Sequence, residues 1–303
     1  MNEEFETLDV AVVDAFTDEP LAGNPAGVVL DGDGLAADQM QRIAREVNAS
    51  ETAFVRESDD ADRRLRYFTP TDEVDLCGHA TIATHARLFE EGVIDAGTHS
   101  IETNVGVLDI DVEDDGTVWM TQERPDVRGV DVEYERVADA IDVDVAALED
   151  VGADLPVARA TTGLPFLVVP VNFLEHLGAA APDFDAVEAL ADEFDCAGVY
   201  ALTFDAVGVD STLHGRCWVP GLGIDEDPVT GTASGAVGGY LERFDAFDDF
   251  PDELRFEQGH YVDRPGTVRV RVDDRAHVAG TAVTSIDGDL IIPEPEADDI
   301  LEA

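Results

Sequence analysis

The feature that most constrains the fold of this 303-residue chain is that its second half repeats the order of its first half. In each half a proline, Pro70 or Pro220, opens an acidic loop. A glycine then begins a segment that is small or apolar nearly all round, and these glycines, Gly78 and Gly231, lie 153 residues apart. Such a segment predicts a buried helix. The matched positions are Ala80 with Ala233, Thr81 with Ser234, Ala83 with Ala236, and Leu88 with Leu241.

The elements around these two segments recur as well. An amphipathic helix is predicted over Ala37–Asn48, and a second one is predicted before Val199, because apolar residues recur at i, i+3, i+4 and i+7. Short strands flank both helices. We therefore predict an α+β fold of two similar domains, each a curved, mostly antiparallel sheet or barrel around a central helix. The predicted domains are residues 1–127 and 128–303, with an acidic tail at 293–303.

The charge balance indicates where such a fold is stable. The chain carries 68 acidic and 18 basic residues, a net charge of −50, and every basic residue is arginine. Self-repulsion destabilises the compact state in dilute buffer, whereas molar salt shortens the screening length to about 3 Å. We predict a cytoplasmic protein of an extreme halophile. Without a basic patch, nucleic-acid binding is disfavoured; an acidic mimic of nucleic acid is the alternative interpretation.

Several chemistries are excluded by what the sequence lacks. The three cysteines, Cys77, Cys196 and Cys217, form no CxxC pair, so neither a zinc ribbon nor a disulfide scaffold is expected. No apolar run approaches the roughly 18 residues of a membrane-spanning helix. With no lysine in the chain, a lysine-linked pyridoxal-phosphate mechanism is excluded. No HExxH, GxSxG or P-loop motif occurs either.

The beginnings of the two buried helices are candidate anion sites. A helix N-terminus offers unpaired N–H donors and a partial positive charge, which suits a substrate carboxylate or a developing enolate. The alternative is that Gly78 and Gly231 only allow the chain to turn tightly into each helix and bind no ligand.

Three acid–base candidates lie near these helices. Glu51 follows the first amphipathic helix in an apolar stretch, where a carboxyl group is removed from water as general acid–base catalysis requires. His79 lies at the mouth of the first buried helix, and Asp227 lies just before the second. A histidine can orient a carboxylate or shuttle a proton. The alternatives are a solvent-facing Glu51, a capping His79, and an Asp227 that is only a loop or N-cap acid.

The repeat also shows an asymmetry. Glu51 lies four residues after Val47, and the matching position, four residues after Phe194, is Gly198. The acid is therefore present in one half only. Because inversion of a centre usually needs a base on each face, a single base favours isomerisation over racemisation.

Four short motifs occur in order between residues 14 and 233, and together they resemble the phenazine-biosynthesis PhzF family, which shares the diaminopimelate epimerase fold. The motifs are Asp14-Ala15-Phe16-Thr17 with Gly23-Asn24-Pro25-Ala26; Asn48-Ala49-Ser50-Glu51-Thr52-Ala53-Phe54-Val55; Phe68-Thr69-Pro70 leading to Cys77-Gly78-His79-Ala80-Thr81; and Glu226-Asp227-Pro228-Val229-Thr230-Gly231-Thr232-Ala233.

The resemblance implies two barrel-like halves with a catalytic cleft between them, a homodimer, and no metal or organic cofactor. It implies Glu51 as the acid–base residue, supported by His79 and Asp227. The substrate-binding residues that it implies are Asn24, Ser50, Gly78, Gly231 and Thr232. The activity expected is a proton shift within a small carboxylate metabolite.

Two other functions stay open on the sequence. Epimerases of this fold use a cysteine before the glycine in each half, but here Cys77 is matched by Thr230. An epimerase or racemase that uses Cys77 with another base is therefore one alternative. A non-catalytic protein that binds a small acidic metabolite is the other.

Overall fold

The structure is a computed structural model that describes residues 6–151 and 154–295. Its helices within these ranges are α1 (Ala37–Val47), α2 (Gly78–Glu90), α3 (Tyr134–Ile141), α4 (Ala146–Glu149), α5 (Leu174–Ala179), α6 (Phe184–Glu193) and α7 (Gly231–Arg243). In this part of the chain, no helix is both long and apolar enough to cross a lipid bilayer.

Strands make up most of the remaining regular structure. They are β1 (Thr7–Ala15), β2 (Asn24–Val29), β3 (Glu51–Arg56), β4 (Arg63–Phe68), β5 (Glu73–Val74), β6 (Gly97–Thr103), β7 (Gly106–Val112), β8 (Val118–Thr121), β9 (Asp126–Gly129), β10 (Ala158–Thr161), β11 (Pro165–Pro170), β12 (Gly198–Thr203), β13 (Leu213–Val219), β14 (Ile224–Asp227), β15 (Leu254–Gln258), β16 (Gly266–Val272), β17 (Ala276–Gly280) and β18 (Ala282–Ile291).

The chain divides into two compact units. Unit 1 consists of residues 1–21, 25–119 and 281–303, and unit 2 consists of residues 22–24 and 120–280. This division differs from the predicted boundary at 127/128, most clearly at the C-terminus. The difference arises because β18 pairs antiparallel with β1 along its whole length, from Thr7 opposite Ile291 to Ala15 opposite Ala282. Residues 296–303 of the predicted acidic tail lie outside the described residues.

Unit 1 is built around the helix predicted from its small residues. Every residue of α2 from Ala80 to Leu88 is buried, and α2 contacts β1, β3, β7 and β18. On the other side, α1 packs Met40 and Ile43 into a cluster with Phe54 of β3. Side chains alternate between the two faces of a strand, so Glu51, three residues before Phe54, points away from α1.

The end of α1 fixes where β3 begins. Asn48 caps the helix in the left-handed conformation, with φ of 54°, and its N–H donates to Ala44 O. Asparagine tolerates this conformation better than most residues. The chain then turns into β3, whose first residue, Glu51, lies opposite Ala26 in a parallel pairing with β2.

Unit 2 repeats this arrangement. Strands β11 and β12 are parallel and are connected through α5 and α6, with Phe166 opposite Gly198. The buried helix α7 contacts β9, β10, β11, β16 and β17. Small residues let the strands approach: a Cβ atom on Gly238 would lie 2.7 Å from Val270 Cγ1 of β16. The predicted α+β architecture of two sheet-wrapped helices is confirmed.

Two details sharpen the predicted repeat. Glu51 and Gly198 each begin the strand that follows the outer helix, and each lies opposite the strand before that helix. Cys77 and Thr230 are the N-cap residues of α2 and α7, which are both 13 residues long.

One local expectation differs from the structure. The acidic run Asp225–Asp227 was expected in a loop, but it forms most of β14, which pairs antiparallel with β13. The strand tolerates its acids because Glu226 receives two hydrogen bonds from Arg216, at 2.9 and 2.6 Å.

Candidate active site

The first candidate site lies in unit 1, where the start of β3 meets the start of α2. Glu51 Oε2 lies 3.4 Å from His79 Nε2, and the two side chains are 21% and 12% exposed. Ser50 Oγ is 3.1 Å from the same nitrogen. The His79 ring therefore faces a carboxylate and a hydroxyl through one of its nitrogens.

The other nitrogen of the ring faces a thiol. Cys77 Sγ lies 3.3 Å from His79 Nδ1. A neutral imidazole carries one donor and one acceptor nitrogen, so a proton on Nδ1 leaves Nε2 as the acceptor for Ser50. The other tautomer lets Nε2 donate toward Ser50 or Glu51. In either tautomer, His79 can orient Glu51 or relay a proton.

Glu51 has an unsatisfied oxygen. Its Oε2 atom is buried and has no hydrogen-bond partner within the described ranges, although His79 Nε2 lies 3.4 Å away. A buried acceptor without a donor is costly. A hydrogen-bond donor on a bound substrate would satisfy it.

The N-terminus of α2 adds donors at the same place. The first hydrogen bond within the helix runs from Thr81 N–H to Cys77 O, at 3.0 Å. The N–H groups of Gly78, His79 and Ala80 come before it, and the first turn carries no acidic residue. Such a helix end favours a bound carboxylate.

The second candidate site lies in unit 2, around Asp227 at the end of β14. Asn24 Nδ2 donates to Asp227 Oδ1 at 2.9 Å, and Thr230 Oγ1 donates to Oδ2. Gly231 follows as the first residue of α7, and the helix begins with the hydrogen bond from Ser234 N–H to Thr230 O, at 3.0 Å.

Side chains of unit 2 hold the first residues of α7. Gln122 Nε2 donates to Gly231 O at 3.2 Å, and Thr162 Oγ1 donates to Thr232 O at 3.2 Å. Thr232 is half-buried. These contacts use carbonyl groups of the first turn, whose N–H groups, as at any helix start, have no partner within the helix.

Asn24 is expected to bind substrate, but its side chain is buried in the structure. It is 1% exposed, and Nδ2 also donates to Val229 O at 2.9 Å. Gln258, which the sequence did not single out, contacts the same loop at Asp227 and Thr230. No sequence motif marks Gln258, because it lies 31 residues after Asp227 and reaches it through the pairing of β13 with β15.

The unit 1 cluster has the composition of a metal site. Glu51, Cys77 and His79 each offer one ligand atom, and these atoms lie within 4.8 Å of one another. Carboxylate, thiolate and imidazole are the ligands that zinc prefers. His79 Nε2 lies 3.9 Å from Cys77 Sγ and 3.4 Å from Glu51 Oε2, so this one nitrogen could share an ion with both groups.

An open cavity of about 470 Å³ lies elsewhere in unit 1. Arg56, at the far end of β3 from Glu51, lines it together with Arg64 and Arg66. Arg64 pairs with Glu102 and Arg66 with Glu73. The guanidinium groups of Arg64 and Arg66 are therefore already paired with carboxylates.

The two sheet-wrapped helices define a protein of the diaminopimelate epimerase-like fold. The profile of the phenazine biosynthesis-like family, PhzC-PhzF, matches residues 13–288. The chain belongs to this family and is an isomerase of it.

Individual relatives agree with this assignment. The uncharacterized isomerase YfhB of Bacillus subtilis is 38% identical over 287 residues, covering 91% of this chain and 96% of that protein. The trans-2,3-dihydro-3-hydroxyanthranilate isomerase of Pseudomonas aeruginosa is 32% identical over 278 residues, covering 91% and 93%.

Solved structures show the same fold. The PhzF-family phenazine biosynthesis protein of Bacillus anthracis superimposes with a TM-score of 0.87 at 37% identity, covering 95% of this chain and all of that one. A hydroxyproline epimerase from Agrobacterium vitis superimposes with a TM-score of 0.60 at 14% identity, covering 97% and 95%, which shows the fold alone.

Proposed function

We propose that the protein is an isomerase that moves a proton within a small carboxylate substrate by general acid–base catalysis, with Glu51 as the group that carries the proton. The observation that carries the proposal is the buried Oε2 atom of Glu51, which lacks a hydrogen-bond partner among the described residues and lies 3.4 Å from His79 Nε2. An acid–base group must accept and release a proton, and an oxygen without a fixed donor is free to do so.

The geometry of unit 2 supports a one-base mechanism. Gly198 is the structural counterpart of Glu51, and a Cβ atom there would lie 2.2 Å from Trp218 O and 2.6 Å from Val219 Cγ1. Position 198 therefore has no room for a second carboxyl side chain. A single base suits removal of a proton and its return on one face of the substrate.

The remaining residues take supporting roles in the proposal. His79 orients Glu51, and Asp227 belongs to the catalytic set as a supporting carboxylate, not as a second base. The N–H groups at the start of α2 and α7, at Gly78 and Gly231, bind substrate oxygens. Ser50, Asn24 and Thr232 complete the predicted binding set, with Asn24 acting through Asp227 because it is itself buried.

The substrate class follows from these donors and from the relatives. Helix N-termini favour anions, and the Pseudomonas aeruginosa relative is named for an isomerisation of a hydroxyanthranilate, a carboxylate. We propose a small carboxylate metabolite without assigning phenazine synthesis. Following the family resemblance, we also expect a homodimer, which sedimentation in molar KCl would show.

Solvent exchange tests the role of Glu51. The protein is incubated in D₂O and molar KCl with a panel of small carboxylates, trans-2,3-dihydro-3-hydroxyanthranilate among them, and deuterium uptake is followed by NMR. Glu51→Gln should lower the exchange rate by about 10²–10⁴-fold. Glu57→Gln, an exposed glutamate directly after β3, is the matched control and should exchange like the wild type. Equal exchange by Glu51→Gln would refute the role of Glu51.

One contact favours a second candidate function, epimerisation with Cys77 as the base. The thiol lies 3.3 Å from His79 Nδ1, an arrangement that can activate a cysteine. Cys77→Ala separates the two functions. The proposed isomerase keeps its deuterium exchange in this variant, whereas an epimerase that uses the thiol loses it.

A further inference from the structure

We propose that Gln258 is a positioning residue that fixes the direction of the Thr230 hydroxyl and so keeps a hydrogen-bond donor on the Asp227 carboxylate. The inference deepens the proposed function and rests on it, because Asp227 is assigned there to the catalytic set. All the groups involved lie in unit 2.

Gln258 uses both ends of its amide on the loop that precedes α7. The residue ends β15 and is 1% exposed. Its Nε2 donates to Asp227 O at 2.7 Å and to Thr230 Oγ1 at 3.1 Å, and its Oε1 accepts Thr230 N–H at 3.2 Å. The backbone acceptor and the backbone donor allow only this orientation of the amide.

This orientation determines where the hydroxyl proton of Thr230 points. An amide nitrogen can donate but cannot accept, so Thr230 Oγ1 must accept from Gln258 Nε2. The hydroxyl hydrogen is then directed to Asp227 Oδ2. The order of donation is therefore Gln258 to Thr230 to Asp227.

The other oxygen of Asp227 has a donor that is fixed in the same way. Asn24 Nδ2 donates to Oδ1 at 2.9 Å, and its donation to Val229 O, also at 2.9 Å, sets the amide orientation. Each carboxylate oxygen thus faces a donor whose direction is set by a backbone carbonyl group. Donors on both oxygens favour the ionised form.

The titratable neighbours of Asp227 do not offset this arrangement. Cys217 on β13 lies opposite Asp227, and burial raises the pKa of its thiol well above the usual value, although a side-chain hydrogen bond with Thr230 opposes that shift. Burial likewise raises the pKa of Tyr200 on β12, so both groups are neutral near pH 7. Glu226, beside Asp227 on β14, is paired with Arg216.

The backbone after Gln258 is also fitted to this loop. Gly259 has φ of 86°, and a Cβ atom there would lie 2.7 Å from Pro228 O and 2.1 Å from Arg264 O. The loop from Asp227 to Thr230 therefore rests on the end of β15.

The decisive variant is Gln258→Glu, which places an acceptor where Nε2 donates. The new carboxylate competes with Asp227 for the Thr230 hydroxyl and adds negative charge nearby. We expect Asp227 to titrate at higher pH by about one unit, and the acid side of the pH–rate profile of deuterium exchange to move with it. Gln258→Met, which removes the donor without adding charge, should move both in the same direction by less.

The control is Gln39→Glu, which makes the same change at a buried glutamine of unit 1. Gln39 accepts a hydrogen bond from Ala36 N–H and donates to Pro293 O. This variant should lose stability without moving either titration. The pH profile therefore separates positioning from simple destabilisation.

Two readouts separate the failure of this inference from the failure of the proposed function. The first is deuterium exchange with the carboxylate panel. The second needs no substrate: carboxyl NMR of ¹³C-aspartate-labelled protein, with the Asp227 signal assigned by its loss in Asp227→Asn. If the Asp227 titration shifts in the Gln258 variants but the wild-type protein shows no deuterium exchange, the positioning role is supported and the proposed isomerase function is contradicted. Exchange that depends on Glu51, with neither titration moved by Gln258→Glu or Gln258→Met, overturns the positioning role.

Discussion

Single side chains differ most in how far they are removed from water, and His85 shows the consequence most clearly. It lies inside α2, is 1% exposed, and pairs through Nδ1 with Thr81 O at 2.8 Å. Burial lowers the pKa of His85 to about 4, although the hydrogen bond to Thr81 opposes that shift. The folded protein therefore resists protonation of a group that the unfolded chain protonates readily.

This difference predicts a pH dependence of stability. The unfolded histidine binds a proton below its ordinary pKa of about 6.5, whereas the folded one does so only near pH 4. Stability is therefore full above pH 6.5 and is lost as the pH falls toward 4. Urea unfolding in molar KCl should show the wild type losing roughly 3 kcal/mol more than His85→Gln between pH 7 and 4. Parallel losses in the two proteins would contradict this account.

At this scale the sequence predicted the residues of unit 1 better than those of unit 2. Ser50, Glu51, Cys77 and His79 lie in two short motifs, and the start of β3 and the start of α2 bring them together. The partners of Asp227 could not be found in this way. Asn24 lies 203 residues from Asp227 along the chain. Only the tertiary structure shows that the side chains of Asn24 and Gln258 both contact the loop that contains Asp227.

Among the elements, α7 depends on glycine for its packing. A Cβ atom on Gly239 would lie 2.2 Å from Pro125 Cβ and 2.6 Å from Pro125 Cγ, and a proline ring cannot turn aside. In an exposed helix, alanine is more stable than glycine by about 1 kcal/mol. Here Gly239→Ala should instead destabilise the protein by about 1–3 kcal/mol.

Urea unfolding in molar KCl measures this effect. The control is Gly288→Ala on β18, where nothing lies within 4 Å of the added Cβ atom; its midpoint should stay near that of the wild type. A Gly239→Ala protein that is more stable than the wild type would show that α7 is not packed as described.

Elements with a regular apolar period were predicted, and those without one were not. The spacing of Met40 and Ile43 identified α1, and the small residues identified α2 and α7. Strand β6 has few buried residues, so no apolar period marks it in the sequence. Strand β14 looks like an acidic loop because the partner of Glu226, Arg216, is invisible to a local pattern.

At the scale of the whole molecule, the charge of −50 dominates. Repulsion between surface carboxylates acts over the screening length, which falls from about 10 Å at 0.1 M salt to about 3 Å at 1 M. We therefore propose that the protein works in molar salt. The unfolding temperature should rise by roughly 10 °C between these salt concentrations. A midpoint that is flat or falling in a calorimetric series of KCl concentrations would be incompatible with this proposal.

The duplication is also a property of the whole molecule. It allows the two units to be compared, and the comparison shows that only one of them has an acid at the position of Glu51. Both units contain a strand, an outer helix and a parallel strand in the same register. Only unit 1 begins the second of those strands with an acid. Unit 2 has Gly198 there, packed against the backbone of Trp218.

The stereochemistry of deuterium uptake tests the one-base account most directly. A chiral carboxylate that exchanges with the wild-type protein in D₂O is recovered early in the reaction, and the configuration at the deuterated carbon is determined. The account predicts that deuterium enters from a single face, with configuration retained in recovered substrate. Formation of the mirror-image centre at the rate of deuterium uptake would contradict it, because that outcome requires a second base opposite Glu51.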